Sequence, residues 1–458
     1  MHANKPQLPP NRSLSEAERY PLLTARGRRL LHWMKEHHAA PAFNHTCGDR
    51  LDKHGLEEVR AFAERLQNHR PAAPDWIDSY LEKVVTSSPF YSRRAPKDAS
   101  RLEDLPTCDR SDLAREFPSF VPLEAPLEEI IVHSTSGRTG HPIDLPHHPV
   151  ACSQYLPIFQ RLLADHGITL AGEPETVAIA LIAAQRHCLT CATVSTWLNE
   201  AGFLKINLKG NDWRGSGDPA RYLNACRPEV ITGDPIAFTA LMDQPLDFEP
   251  KAMLSTAMQL APGLHEKLQS HFGCPVLDIY SAMESGPLAA RAHGEQGFRV
   301  VPPDIHIEIL HPLRAEPVAP GERGEITLTG GRNPFLPLVR YRTGDFAMWD
   351  PEVPEDLRSL DGRAPIIFVS PDGSRINNID VTHVLQAFPI AQFSLTQNAD
   401  ASLLLQTRGL LCPPEEPIEG LKGLFGSAQP ISHKPLPEPS PAEKIIQYQS
   451  AFPQGQAS

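Results

Sequence analysis

FLPLVRYRTGDFAMWD, from Phe335 to Asp350, is the most specific stretch of the chain, and Gly362-Arg363 follows it closely. Within it PLVRYRTGD (Pro337 to Asp345) reads as a turn braced by Arg340 and Arg342, with Asp345 at its end. A carboxylate fixed in such a place offers two acceptor oxygens side by side. Two other stretches belong with it. DIYSAMESGP (Asp278 to Pro287) closes a strand at Tyr280 and puts Glu284 four residues later. A carboxylate there suits Mg²⁺, which takes oxygen ligands, typically one or two carboxylates together with phosphate oxygens. HSTSGRTGHP (His133 to Pro142) carries the loop Thr135 to Gly140 after a strand. Its glycines admit a phosphate close to the backbone, and its hydroxyls and N–H groups can donate to phosphate oxygens. It is not a Walker loop, because only two residues separate Gly137 from Gly140 and His141-Pro142 follow. Alone, this loop reads equally as a small hydroxylated surface turn, and Glu284 as an exposed loop acid.

Taken together and in this order, the three stretches resemble those of the adenylate-forming ligases, most closely the branch of phenylacetate–CoA ligase and the capsule-biosynthesis adenylators. The resemblance covers roughly Tyr80 to Tyr448. PLVRYRTGD matches the family's P-x-x-R-Y-R-T-G-D nearly throughout. Ser136, Gly137, Thr139, Gly140 and Pro142 match its phosphate loop, with Arg138 and His141 departing from it, and Arg138 can supply positive charge toward phosphate. The family's Y-G-x-T/S-E appears as Tyr280-Ser281-Ala282-Met283-Glu284, so Met283 stands where a hydroxyl is usual.

The resemblance implies that Thr135 to Gly140 and Arg138 hold the ATP phosphates and that Tyr280 packs on adenine. It further implies that Glu284 holds Mg²⁺, that Asp345 accepts the ribose hydroxyls and that Arg363 reaches the nucleotide. Lys444, in PSPAEKIIQY, stands where the family has a lysine that swings over the adenylation site. VSPDGSRINN (Val369 to Asn378) is similar to the P-D-G-R-x-I pattern of the capsule-type and coenzyme-adenylating members. Ala364-Pro365 replaces the acidic pair at the family's hinge.

The implied activity is adenylation of a small carboxylic acid, with aryl acids among the candidates, by ATP with Mg²⁺. Transfer to a thiol would follow, from CoA or from the pantetheine of a carrier protein. Transfer to a non-thiol acceptor and a catalytically degenerate nucleotide-binding protein are the alternatives, the second prompted by Met283, His141 and Pro365.

Composition sets outer limits. The 458 residues exceed one hydrophobic core, and 41% apolar with 21% charged residues is ordinary for a globular protein. A net charge of −12 without a dense Lys/Arg cluster disfavours nucleic acid. The longest apolar run, Val177 to Ala184, is too short for a membrane span and reads as a buried strand. The N-terminus lacks the apolar segment of a secretory signal, and eight scattered cysteines suit a reducing cytosol, so the expected location is cytoplasmic. His187-Cys188-x-x-Cys191 lacks a fourth ligand at zinc spacing and reads as structural.

Beyond the disordered-looking first residues, Ser13 to Val85 is mostly helical in pattern, with Leu56, Val59, Phe62, Ala63 and Leu66 at helical spacing and a later helix over Trp76 to Val85. From Glu129 strands alternate with helices: EEIIVHS, VAIALIAA, a helix around Thr193 to Ala201, EVITG and PVLDIY. IIFVSPDGSRI reads as a hairpin around Asp372-Gly373. The expected fold is therefore α/β: a helical segment over 1–128 packed on the main domain, an α/β core over 129–345 with sheets covered by helices, and a small mobile α+β C-terminal domain over 346–458.

Overall fold

A buried arginine organises the largest sheet. Arg340 lies in the strand Leu338–Trp349 and is 1% exposed, yet all of its donors are engaged. Its guanidinium makes a bidentate pair with Glu308 at 3.1 and 3.2 Å and donates to the carbonyls of Glu103, Leu105 and Ala315. A charge can stay buried only when paired and hydrogen-bonded in this way. The computed structural model describes residues 14–68, 75–99, 101–134, 143–185, 188–209, 211–292, 294–361, 366–437 and 447–451.

Among these, one sheet of 13 strands runs through most of the chain. At its centre five neighbouring strands are parallel: Ala201–Asn207, Val177–Ala183, Val230–Gly233, Ala252–Ser255 and Val276–Ala282. Gly286–Ala292, Phe298–Val300, Asp356–Asp361, Leu338–Trp349, Gly324–Gly330 and Ile305–Leu310 continue it, each antiparallel to the one before. The strand bearing Asp345 thus runs on to Trp349, and the sheet continues to Asp361. The apolar run from Val177 is a strand buried on both faces: Val177, Ala180 and Ile182 join one core cluster, Ala178 and Ile179 another. Continuous apolar sequence is what a doubly covered parallel strand needs.

The N-terminal helices cover this sheet. Ala25–Glu36 buries Leu30, Leu31 and Met34. Lys53–Asn68 buries Val59, Phe62, Ala63 and Leu66, the stripe its periodicity predicts. The later helix spans Ile77–Ser87. The two-residue strand Cys108–Asp109 pairs parallel with Tyr341 and Arg342, placing the segment before residue 129 on the sheet itself.

One expected element is absent. Thr193 to Ala201 is not helical; Cys191–Ser195 and Ala201–Asn207 form an antiparallel hairpin. Thr193 and Val194 are β-branched and suit a strand, and Asn199 and Glu200 take φ of 54° and 64° in the tight connection. Glu200 is held there by Thr24, whose N–H and hydroxyl both donate to its carboxylate. Among the described residues Ile131–Ser134 pairs with Asp144–His147 alone, outside the large sheet.

The hairpin expected at Asp372-Gly373 is present, Ile367–Val369 pairing with Arg375–Asn377 and Gly373 at φ 84°. After it, Ile390–Gln397, Leu403–Leu410, Ile431–Pro435 and Tyr448–Ser450 form a separate four-stranded sheet. Helices Asn378–Gln386 and Glu415–Phe425 close a core with it, around Phe368, Leu395, Leu421 and Tyr448. No helix among the described residues is long and apolar enough to cross a membrane.

Replacing Arg340 by Met leaves Glu308 buried and unpaired, which costs about 3–5 kcal/mol. Denaturant unfolding of Arg340→Met should show that loss. Arg340→Lys should recover little of it, since an ammonium cannot reproduce the bidentate fork.

Candidate functional site

Two of the three sequence motifs meet through a pair of crossed hydrogen bonds. Tyr280 is in the strand Val276–Ala282, and its hydroxyl donates to Asp345 Oδ2 at 3.1 Å. Tyr341 is in the strand that carries Asp345, and its hydroxyl donates to Glu284 Oε1 at 2.9 Å. Each tyrosine precedes a carboxylate by four residues and serves the carboxylate of the other motif. Three strands stand between these two in the sheet order, so the sheet curls to bring them together.

Glu284 sits in the turn joining Val276–Ala282 to Gly286–Ala292 and is 9% exposed. Gly286 takes φ 79°, and a Cβ there would lie 2.6 Å from the Tyr155 ring, so no other residue fits the turn's exit. Arg332 fixes the same turn: almost fully buried and paired with Asp304 at 3.2 Å, it donates to the carbonyls of Ser285 and Pro287. Arg110 follows the short strand Cys108–Asp109 and brings a guanidinium to Glu284 Oε1 at 3.4 Å. Burial, and then the charge of Glu284, holds the Tyr341 phenol well above its ordinary acidity range, so it stays a donor. Met283 beside the carboxylate is 43% exposed.

Asp345 is half-buried in a braced bulge within the strand Leu338–Trp349, where the sequence predicts a turn. Gly344 has φ 78° and donates its N–H to Glu325 Oε1, while Thr343 Oγ1 accepts from the Asp345 N–H and donates to the Ile326 carbonyl. Arg342 pairs with Glu325 at 2.6 Å and donates to the carbonyls of His311 and Pro312. Arg342 thus braces this segment through Glu325, whereas Arg340, expected to brace it too, instead anchors the strand before it through Glu308 and the carbonyls of Glu103, Leu105 and Ala315.

Several sequence-predicted residues lie outside the described residues: Thr135, Ser136, Gly137, Arg138, Thr139 and Gly140 with His141 and Pro142; Arg363 with Ala364 and Pro365; and Lys444. Their flanks are placed. Ser134 pairs with Asp144 in the hairpin that brackets the first group. That hairpin is tied to the third motif's approach, since Asn333 donates to the Pro146 carbonyl at 2.7 Å and the His148 ring lies 5.6 Å from that of Phe335. Tyr341, Arg110 and Arg332 escaped the sequence reading. Only Tyr341 had a legible signal, its four-residue spacing to Asp345, which repeats that of Tyr280 to Glu284.

For a metal, Glu284 is a suitable oxygen donor. Among the described residues no group of three or more His, Cys, Asp or Glu side chains is gathered to hold an ion. A single carboxylate fits a cation that arrives with phosphate and water ligands of its own.

No protein-family model matches the chain. It is 20% identical over 341 residues to protein CapK of Staphylococcus aureus, covering 68% of this chain and 70% of that protein. It is 22% identical over 320 residues to a phenylacetate-coenzyme A ligase of Pseudomonas putida, covering 66% and 70%. Among solved structures, 2-hydroxyisobutyryl-CoA ligase in its postadenylation state superposes with a TM-score of 0.59 at 18% identity, over 86% of this chain and 89% of that one.

The hairpin beside the site carries its own pH signature. His147 is 4% exposed, and its Nε2 has no hydrogen-bond partner among the described residues. Burial, with His133 alongside, lowers its pKa from 6.5 to about 4. A histidine depressed in the folded state contributes stability above its unfolded pKa, and that contribution is lost as pH falls through the folded value. Between pH 6.5 and 4 the protein should lose up to about 3 kcal/mol through this group. His147→Asn should flatten that part of the curve, as read by urea unfolding across the pH series.

Proposed function

We propose that this chain, which belongs to the adenylate-forming ligase superfamily on its phenylacetate–CoA ligase-like branch, activates a small carboxylic acid with ATP and passes the acyl group to the thiol of coenzyme A. The observation that supports the reading is the crossed pair Tyr280–Asp345 and Tyr341–Glu284, which ties to each other the two motifs whose carboxylates we assign to the ribose and to the metal. Its relatives include phenylacetate-coenzyme A ligases from two bacteria, which points to an aryl acid. A carrier-protein pantetheine in place of coenzyme A is the nearest variant of the same chemistry.

In the first half-reaction a carboxylate oxygen of the acid attacks the α-phosphorus of ATP and pyrophosphate leaves. In the second, the thiol sulfur attacks the acyl carbon, its proton is lost, and AMP leaves. Little covalent work falls to the protein; alignment and charge neutralisation supply the rate. Asp345 accepts the ribose hydroxyls on a bulge rigid enough to define where the nucleotide sits. Tyr280 borders adenine and keeps Asp345 oriented. Glu284 is the ligand for Mg²⁺, whose charge offsets that of the triphosphate when bound. Arg110, beside Glu284, adds positive charge on the same side. We assign the loop Thr135 to Gly140, with Arg138, to the phosphates, and Arg363 and Lys444 to the nucleotide and the developing α-phosphate charge. The unit that turns between half-reactions is assigned to the residues after Asp361, because the last strand of the large sheet ends there.

Acid-dependent exchange of labelled pyrophosphate into ATP should be found in a panel of aryl, fatty and amino acids. ATP binding without exchange for any acid would instead identify a degenerate nucleotide-binding protein, the reading that exposed Met283 favours. Release of AMP that requires coenzyme A would separate thiol transfer from transfer to another acceptor. Asp345→Ala should weaken ATP binding by about 1.5–3 kcal/mol or more, since hydrogen bonds to a charged acceptor are lost, while thermal unfolding stays near that of the parent. Unchanged affinity would remove Asp345 from the site.

Lys444→Ala should suppress exchange by several kcal/mol of transition-state stabilisation, on the order of an oxyanion-site donor. The same variant should use a preformed acyl adenylate at near-normal rate. Equal loss in both steps would show that the lysine has no special part in adenylation.

A further inference from the structure

We infer that Tyr341 is a positioning residue for Glu284, anchoring Oε1 so that Oε2 is the oxygen presented to the divalent cation that accompanies ATP. The inference rests on the proposed reading of the site and goes beyond it, by saying how the metal carboxylate is oriented and by which group.

Glu284 has two carboxylate oxygens, and the terminal torsion of a glutamate is soft and broad. Something must choose which oxygen faces the ligand. Oε1 receives both hydrogen bonds the described residues give this carboxylate, from Tyr341 at 2.9 Å and Arg110 at 3.4 Å, and Oε2 receives none. Of the two donors Tyr341 is the fixed one. It is 1% exposed, and its strand is paired at that residue on both sides, to Leu328 and to Cys108. Arg110 is the looser, with a side chain 27% exposed at the start of the short helix Arg110–Glu116. An anchored Oε1 leaves one lone carboxylate oxygen, which is monodentate geometry and suits the small, octahedral Mg²⁺ better than bidentate binding does. The mirror arrangement, Tyr280 on Asp345, means that both acceptors are oriented by phenols from opposite motifs.

Calorimetry with MgATP, metal-free ATP and AMP, together with the electron paramagnetic resonance spectrum of Mn²⁺ bound with ATP, tests this. Tyr341→Phe keeps the buried ring and removes only the hydroxyl. It should weaken MgATP binding roughly tenfold, leave AMP and metal-free ATP unchanged, and alter the Mn²⁺ spectrum. In a Glu284→Gln background it should add nothing further. Retained AMP binding doubles as the check on folding. Should Tyr341→Phe fail to fold, Glu284→Asp supplies the same readout: one methylene shorter, it cannot keep the phenol and also reach the cation, and the same selective loss is expected. The inference is overturned if MgATP binding and the spectrum are unchanged, if AMP is lost in equal measure, or if the effects of Tyr341→Phe and Glu284→Gln add. A parent protein that binds neither AMP nor MgATP would remove the nucleotide reading itself, and this inference with it.

Discussion

Burying one guanidinium imposes order on a large part of the molecule. Arg340 leaves water only because Glu308 and three backbone carbonyls take up its donors. Those partners come from the strand Ile305–Leu310, from residues 103 and 105, and from residue 315. The register of Leu338–Trp349 is therefore set on several sides at once. A slip by one residue would turn Arg340 toward the wrong face and strand Glu308. With the register fixed, Tyr341 must point at Glu284, and Asp345 must sit in the bulge that follows. The site inherits its precision from a group that takes no part in it.

The same constraint explains why the sheet can be long and still bring distant strands together. Tyr280 and Tyr341 belong to strands with three others between them, yet each reaches a carboxylate of the opposite motif. Strand twist accumulates along a sheet and curls it. The two phenol–carboxylate bonds then close the curl at the site. Arg332 and Tyr155 keep the Glu284 turn in place from behind, one through carbonyls and the other through ring contact with a glycine.

Much of this was legible in the residues. The doubly buried strand from Val177, the stripe of Lys53–Asn68, the hairpin at Gly373 and the bracing by Arg342 all follow from local pattern, since each is decided by periodicity or by one turn residue. What was not legible depends on partners far along the chain. Thr193 to Ala201 reads as a helix by pattern, but Thr24 claims Glu200 and the segment pairs as a hairpin. Arg110 has no local mark at all: its nearness to Glu284 comes from the pairing of Cys108–Asp109 with a strand much later in sequence. Tyr341 lies inside the most specific motif, but the carboxylate it serves is 57 residues earlier, in another motif.

That late pairing has a consequence for the order in which the protein is made. Arg340 bonds to the carbonyl of Glu103 across a separation of 237 residues, and the Cys108–Asp109 strand has no neighbour until residues 341 and 342 exist. At synthesis rates of about 5–20 residues per second, the helices Ile77–Ser87 and Pro89–Arg94 wait on the order of ten seconds or more for the strand Leu338–Trp349 that shares their core. During that interval Leu81, Val84, Phe90 and Tyr91 lack the cover that Leu338, Val339 and Tyr341 later give them. Contacts of such long range form slowly, and the nascent chain is most exposed to aggregation before its 340th residue emerges.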